Sequence, residues 1–143
     1  MASARKSGTT ETPYRVLVAD DDPASRRLLA AALESVNFAV TTVNDGKELY
    51  DVLTSAPIGY FRLVVTDQSM PQMFGVDVLA RAGARAPFVI VTGVHTPEVQ
   101  TAAERFGAAA YFTKPLDIAE LLETVERIIV ERRVPGRVSK TGQ

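Results

Sequence analysis

Polar residues able to do chemistry stand at the ends of four apolar, strand-like stretches of this chain. The residues are Asp20, Asp21, Asp67, Thr92 and Lys114, and the stretches that they end or follow are 15–19, 63–67, 88–92 and 108–112. In an open α/β sheet, the carboxyl ends of parallel strands meet at one edge, where ligands bind. We therefore expect these five side chains to form one site.

The chemistry of such a site follows from the residue types. Three crowded carboxylates repel one another, and each would have a raised pKa unless a cation joins them. Ligation by oxygen alone suits Mg²⁺ or Mn²⁺, which leave coordination positions to water and phosphate. Lys114 would add a mobile positive charge and Thr92 a hydroxyl donor. A carboxylate nucleophile, a divalent cation, a lysine and a hydroxyl are the groups needed to accept a phosphoryl group.

Each residue also has an ordinary interpretation. Asp67 alone would be a loop aspartate, Thr92 a strand end and Lys114 a solvated lysine. Asp22 is better interpreted as the acidic start of a helix, where a negative charge is favoured by the helix dipole. The other residues all stand at matching strand ends. A common site explains this better than several separate, unrelated interpretations that would all have to hold at once. His95 is interpreted as an exposed loop histidine, because nothing in the sequence pairs with it.

The spacing of apolar residues predicts the elements that position this site. Apolar and β-branched runs predict strands over 15–19, 38–43, 63–67, 88–92 and 108–112. Apolar residues at helical spacing predict helices that begin near residues 23, 46, 76, 97 and 118. Five β-α units with short connections predict the α/β class, with a doubly wound parallel sheet and helices on both of its faces.

Length and composition exclude several kinds of protein. The chain has 143 residues, of which 46% are hydrophobic, enough for one domain with a core. It has no cysteine and one histidine, which excludes disulfides, thiol catalysis and multi-histidine metal sites. The net charge of -1 predicts no binding to nucleic acid or anionic lipid.

The same composition predicts the location and the extent of the domain. No apolar run reaches the roughly 18 residues of a membrane span, and no secretory signal follows Arg5 and Lys6, so we expect a cytoplasmic protein. We expect a disordered lead-in over 1–13, one domain over 14–133 and a flexible tail over 134–143.

Four motifs in order identify a family resemblance. They are V-L-V-A-D-D-D-P, L-V-V-T-D-Q-S-M-P-Q-M-F-G, F-V-I-V-T-G and A-Y-F-T-K-P. With these spacings, residues from about 14 to 133 strongly resemble the receiver domain of bacterial two-component response regulators, the family of the chemotaxis regulator. The resemblance implies a flavodoxin-like sheet with strand order 2-1-3-4-5.

The resemblance also implies roles for individual residues. Asp67 would be the phosphoacceptor, and Lys114 would pair with the phosphoryl group. Asp20, Asp21 and Asp67 would hold Mg²⁺, or Mn²⁺ in its place, together with the backbone carbonyl of Ser69. The protein would be no enzyme beyond its own phosphorylation and autodephosphorylation.

A switch is implied in the same way. Thr92 would follow the phosphoryl group, Tyr111 would be the aromatic switch residue, and the peptide bond before Pro115 would be cis. The signal would leave through the face of the fourth helix, fifth strand and fifth helix. We expect this face to carry Glu98, Thr101, Arg105 and Tyr111.

The implied partners are a phosphohistidine of a sensor histidine kinase or histidine phosphotransfer protein, and a downstream protein target. We expect neither nucleic acid nor membrane as a direct partner, and a monomer or a weak phosphorylation-dependent dimer. Nothing after Arg133 resembles an output domain, so the chain would be a single-domain regulator or a receiver cut from a larger protein.

The chain also departs from the family pattern. Phe74 stands where an acidic residue or asparagine is common, which should affect the loop more than the chemistry. Ser69 and Val94 occupy positions that tune the lifetime of the aspartyl phosphate.

Two other functions compete with phosphoryl acceptance on Asp67. Asp20-x-Asp22 is similar to the motif of haloacid dehalogenase phosphatases, but Ala24 and the segment 115–117 depart from that pattern. The third hypothesis is a receiver that binds proteins without being phosphorylated. The complete set of site residues argues against it.

Overall fold

Five parallel strands form one sheet in the computed structural model, which describes residues 13–133. The strands are β1 (Arg15–Ala19), β2 (Ala39–Val43), β3 (Leu63–Asp67), β4 (Phe88–Thr92) and β5 (Ala110–Thr113). Their order is β2-β1-β3-β4-β5, and every neighbouring pair is parallel. The prediction of a doubly wound, flavodoxin-like α/β sheet is therefore confirmed.

Helices follow the strands in alternation. They are α1 (Pro23–Glu34), α2 (Gly46–Ser55), α3 (Gly75–Ala82), α4 (Pro97–Arg105) and α5 (Ile118–Arg133), and a single 3₁₀ turn (Gly83–Arg85) follows α3. Core side chains of α1 and α5 pack with one face of the sheet, and those of α2, α3 and α4 with the other. The lead-in up to residue 12 and the tail over 134–143 lie outside the described residues.

The two central strands are buried along their whole length. Every residue of β3 and β4 is buried, because helices cover both faces of the sheet there. Side chains of β3 alternate between the two cores, with Val64 in one and Leu63 and Val65 in the other. Asp67 is thus the last residue of a strand that is buried along its whole length.

Helix starts agree with the sequence signals. The side chains of Asp22, Asp45, Thr96 and Asp117 each accept a hydrogen bond from a backbone N–H in the first turn of the following helix. These caps satisfy donors that would otherwise have no partner in the helix. Each cap lies close behind a strand end, at the edge where the acidic residues lie.

The structure differs from the sequence prediction in three local features. β5 begins at Ala110 rather than residue 108, because the N–H of Ala108 bonds to the end of α4 at the Ala103 carbonyl (2.9 Å). β2 begins one residue late, at Ala39. Leu28, which helical spacing in the sequence groups with Leu29 and Leu33 on one apolar side, is 55% exposed, and of the α1 residues only Leu29 and Leu33 are buried. Among the described helices, none combines the length and the apolar character needed to cross a membrane.

Candidate functional site

Three carboxylates meet at the carboxyl edge of the sheet. Asp20 and Asp21 follow β1, and Asp67 ends the neighbouring strand β3, where Ala19 pairs with Thr66. One oxygen from each carboxylate lies within 4.8 Å of the others. Asp20 is fully buried and Asp67 is 8% exposed, whereas Asp21 faces solvent. The convergence expected from the strand ends is present.

Lys114 reaches this cluster from the loop after β5. Its Nζ lies 3.1 Å from Oδ2 of Asp20 and 3.6 Å from Oδ2 of Asp67. Its backbone N–H donates to the carbonyl of Thr92 at 2.9 Å, which joins the ends of β4 and β5. The peptide bond between Lys114 and Pro115 is cis, as the resemblance implies. One lysine therefore offsets part of the charge of two buried carboxylates.

Asp20 is held by residues that the sequence analysis did not single out. The hydroxyl of Ser25 donates to its Oδ2 at 2.6 Å, and the N–H of Asp22 donates to its Oδ1 at 3.0 Å. The guanidinium of Arg26 donates to the Asp20 carbonyl at 2.9 Å. The only sequence signal for these contacts is the hydroxyl and guanidinium residues in the first turn after an acidic strand end.

Burial dominates the electrostatics of Asp67. It raises the pKa of the Asp67 carboxyl above the usual value, and the neighbouring Asp20 adds to this, while Lys114 and the N–H groups of Gln68 and Ser69 act in the opposite direction. For Lys114, burial is the largest single effect and lowers the pKa, but the attraction of Asp67 and Asp20 outweighs it and leaves the pKa raised. Lys114 is thus cationic at neutral pH.

The cluster fits a hard divalent cation. Its three carboxylates carry more negative charge than Lys114 offsets, and they present only oxygen ligands, with Asp21 open to solvent. Mg²⁺ prefers such oxygens and keeps several waters. Receiver domains in general bind Mg²⁺ at an acidic cluster of this kind. The role of the Ser69 carbonyl stays a prediction.

The loop after β3 is fixed by two glycines and a glutamine. A Cβ at Gly75 would overlap the carbonyl oxygen of Asp67, and one at Gly46 would overlap that of Met73. Gln68 caps α3 twice, with its carbonyl bonded to Gly75 N (2.9 Å) and its side-chain Oε1 bonded to Val76 N (2.8 Å). Gln68 leaves no local signal in the sequence, because its partners lie seven and eight residues further along.

Thr92 ends β4 one position beyond Val91, the register partner of Asp67. It is fully buried. Its hydroxyl bonds within its own loop, accepting from the N–H of Val94 at 3.0 Å and lying 3.2 Å from the Val94 carbonyl. The Thr92 side chain thus lies at the edge of the site, and its hydroxyl is turned toward the β4–α4 loop.

His95 is an exposed loop residue, as expected, and the structure gives it a partner that the sequence does not reveal. Its Nδ1 lies 3.0 Å from the hydroxyl of Tyr111, and the two ring centroids are 5.7 Å apart. The β4–α4 loop carries His95 across to β5, where Tyr111 pairs with Ile90 of β4. Sixteen residues separate the two side chains, so no local pattern could reveal the contact.

The residues expected on the signalling face line two different grooves in the structure. Tyr111, His95 and Gln100 line one groove of about 380 Å³. Glu98, Thr101 and Arg105 line a different groove of about 390 Å³ along α4. Tyr111 therefore lines a different groove from Glu98, Thr101 and Arg105, and the use of this face for signalling stays a prediction.

Comparisons with known proteins agree on the kind of domain. The family model described as the response regulator receiver domain matches residues 16–126. The sensory/regulatory protein RpfC of Xanthomonas campestris is 34% identical over 126 residues, which are 83% of this chain and 17% of that protein. The response regulator receiver protein CpdR of Brucella abortus is 29% identical over 119 residues, which are 81% of this chain and 97% of that protein.

A solved structure has the same fold. A CheY-like receiver domain protein from Methanospirillum hungatei superimposes with a TM-score of 0.79 at 27% identity, covering 85% of this chain and 97% of that one. This chain thus spans a small fraction of RpfC and nearly the whole of the shorter relatives.

Proposed function

This chain belongs to the response regulator receiver domain family of two-component systems, and we propose that it accepts a phosphoryl group on Asp67. The donor is a phosphohistidine of a sensor histidine kinase or of a histidine phosphotransfer protein. Receiver domains in general accept phosphoryl groups from histidine kinases. The observation that carries the proposal is the meeting of Asp67, Lys114 and two further carboxylates at one edge of the sheet.

Asp67 suits the role of nucleophile better than its two neighbours. Both carboxylate oxygens of Asp20 already accept hydrogen bonds, and this residue is fully buried. Asp21 is exposed and has the character of a metal ligand. Asp67 keeps 8% of its surface exposed, whereas Asp20 keeps none, and its Oδ1 is oriented by the N–H of Gln68 at 2.7 Å. The same observations disfavour a haloacid dehalogenase-type phosphatase, because that reaction would use Asp20.

The proposed reaction is an in-line transfer. An oxygen of Asp67 forms a bond to phosphorus while the bond from phosphorus to the histidine nitrogen breaks and its electron pair returns to the imidazole. Lys114 stabilises the negative charge on the transferred group, since its Nζ lies 3.6 Å from the acceptor oxygen. Asp20, Asp21, Asp67 and the Ser69 carbonyl would hold Mg²⁺ or Mn²⁺, which supplies further positive charge at the phosphoryl oxygens. The protein catalyses only its own phosphorylation and autodephosphorylation.

The output is proposed to pass through α4, β5 and α5. A phosphoryl group on Asp67 adds strong acceptor oxygens next to the end of β4, and Thr92 can exchange its bonds within the loop for one to these oxygens. Tyr111 would then leave His95 and turn inward, which changes the groove that both line. A downstream protein that prefers this state would in turn favour phosphorylation.

The test of the acceptor uses a small phosphodonor. Wild type and Asp67→Asn are incubated with acetyl phosphate and Mg²⁺, and intact mass and peptide mapping locate the added group. We expect one phosphoryl group on wild type at Asp67 and none on the variant. Asp51→Asn, which changes an exposed carboxylate of α2, is the matched control and should be phosphorylated normally. Label on Asp20, or full labelling of Asp67→Asn, would contradict the proposal.

A further inference from the structure

Two arginines lie side by side at the edge of the sheet opposite to the carboxylates. Arg15 begins β1, and Arg62 immediately precedes β3. The register of Val16 with Leu63 places the two arginines at adjacent positions, and the N–H of Arg62 donates to the Arg15 carbonyl at 2.8 Å. Two like charges are thus held together where β1 and β3 begin.

Each guanidinium lies over a tyrosine ring. The central carbon of Arg15 is 4.2 Å from the ring centroid of Tyr60, and that of Arg62 is 4.6 Å from the ring centroid of Tyr14. Such contacts use the flat face of a guanidinium and limit its rotation, while its edge still carries N–H donors. The tyrosines therefore orient both arginines in advance of binding.

No carboxylate of the part of the chain that the structure describes forms an ion pair with either arginine. The ion pairs found there belong to Lys47 and Lys114. A preoriented guanidinium with free edges matches a carboxylate, which accepts two parallel hydrogen bonds. Two adjacent guanidinium groups match two neighbouring carboxylates.

An exposed apolar residue lies in the turn that carries one of the tyrosines. Ile58 is 71% exposed, and its turn is closed by a hydrogen bond from the N–H of Tyr60 to the Pro57 carbonyl at 3.0 Å. Tyr60 is itself 42% exposed. Arginine and tyrosine are enriched at the centres of protein interfaces, where apolar residues supply contact area. We call Tyr14, Arg15, Ile58, Tyr60 and Arg62 the arginine–tyrosine patch.

The patch itself carries the two positive charges of Arg15 and Arg62, although the chain as a whole carries -1. In parallel α/β folds the helices end at the edge where the strands begin. Arg81 and Arg105 lie in the last turns of α3 and α4, and Arg85 follows α3. The acidic residues at the helix ends on this edge are Glu34 of α1, Glu104 of α4 and Glu131 of α5. The carboxylates of the acceptor site lie at the opposite edge of the sheet, away from Arg15 and Arg62.

We propose that the arginine–tyrosine patch binds an acidic peptide segment of a partner protein. Neighbouring carboxylates of the segment pair with Arg15 and Arg62, and an apolar residue between or beside them packs on Ile58. The exposed side chain of Ile58 favours a peptide over inorganic phosphate, because phosphate has no apolar group to pack on it. Two adjacent arginines are too few to bind nucleic acid tightly, because that affinity grows with the number of phosphates contacted. The proposal does not depend on phosphorylation of Asp67.

The test is an NMR titration of the ¹⁵N-labelled full chain with a short capped peptide of glutamate, aspartate and leucine. We expect amide shifts at residues 14–15 and 58–62 and not at the acidic edge. Arg15→Gln with Arg62→Gln should weaken binding at least about tenfold, because two charge-assisted bonds are lost. The matched control, Arg27→Gln with Arg127→Gln, removes the same charge from exposed positions of α1 and α5 and should change affinity less than about twofold.

Further variants keep the test decisive. If the double arginine variant loses its dispersed spectrum, Ile58→Asp replaces it, since this turn residue is exposed and a new carboxylate there should repel the peptide. Equal loss in the arginine variant and its control would mean unspecific attraction and would overturn the proposal. So would equal or tighter binding of inorganic phosphate, a DNA duplex or anionic lipid vesicles at the same amides. Phosphorylation by acetyl phosphate should be unaffected in the arginine variant, which separates this site from the acceptor site.

Discussion

Replacing Asp67 by asparagine should stabilise the fold in the absence of divalent cations. The substitution keeps the shape of the side chain and its acceptor for the Gln68 N–H, but removes a charge from a buried cluster. Burial, and then Asp20, raise the pKa of Asp67 against the opposing effect of Lys114. A carboxylate whose charged form is disfavoured in the folded state lowers stability.

The magnitude follows from the distances. At an effective dielectric constant of about 20, attraction to Lys114 across 3.6 Å is worth roughly 4.6 kcal/mol. Repulsion from Asp20 across at most 4.8 Å is worth at least roughly 3.5 kcal/mol, which offsets most of this attraction. The balance is set by the burial of the Asp67 charge, which the N–H groups of Gln68 and Ser69 oppose. We expect a net gain of about 1 to 2 kcal/mol for Asp67→Asn.

The pH dependence has a defined sign. Because the folded protein binds the Asp67 proton more tightly than the unfolded chain does, the penalty is fully present above the folded pKa. It disappears as the pH falls below the unfolded value of about 3.9. The advantage of the variant should therefore shrink steadily between neutral and acidic solution.

Urea unfolding followed by circular dichroism measures this difference, in chelator and at several pH values. Added Mg²⁺ should stabilise wild type more than the variant, because a ligand that binds only the folded state adds to its stability. Asp51→Asn is the control, since it breaks only a solvent-screened, exposed pair with Lys47 (2.7 Å) and should change the stability little. If Asp67→Asn in chelator is as destabilising as this control, burial does not dominate the energy of Asp67.

The other predictions concern the ligand set, the switch and the loop. Asp21→Ala should weaken Mg²⁺ binding and slow phosphorylation by acetyl phosphate; an unchanged rate, or one unchanged by chelator, contradicts the ligand role. Lys114→Ala should still be phosphorylated but should no longer pass the signal on, so a variant that binds its downstream partner normally would rule this out. A beryllofluoride mimic of the phosphoryl group should shift amides across 94–112, and shifts confined to the acceptor would exclude the proposed switch. Gly75→Ala should cost about 2 kcal/mol by overlap with a strand-end carbonyl, against about 1 kcal/mol for Gly107→Ala, where only the positive φ of 86° is strained.

The sequence by itself determined the sheet and the main members of the site. Apolar, β-branched runs place β1, β3 and β4 at the bounds seen in the structure, because strands covered on both faces leave a continuous pattern. Parallel strands in β-α alternation must end at one edge, so the meeting of Asp20, Asp67 and Lys114 was predictable without coordinates. The short outer strands β2 and β5 were placed within two residues, since one side of each lacks a neighbouring strand.

Only the tertiary structure decided which side chains hold these residues in place. The bonds of Ser25 and Arg26 to Asp20, of Gln68 to α3 and of His95 to Tyr111 join residues of different elements or loops. The contact of Arg15 with Tyr60 is of the same kind. Periodicity records whether a position is buried. Which two side chains meet depends on rotamers and on the distance between packed elements, and a single sequence carries no signal for either.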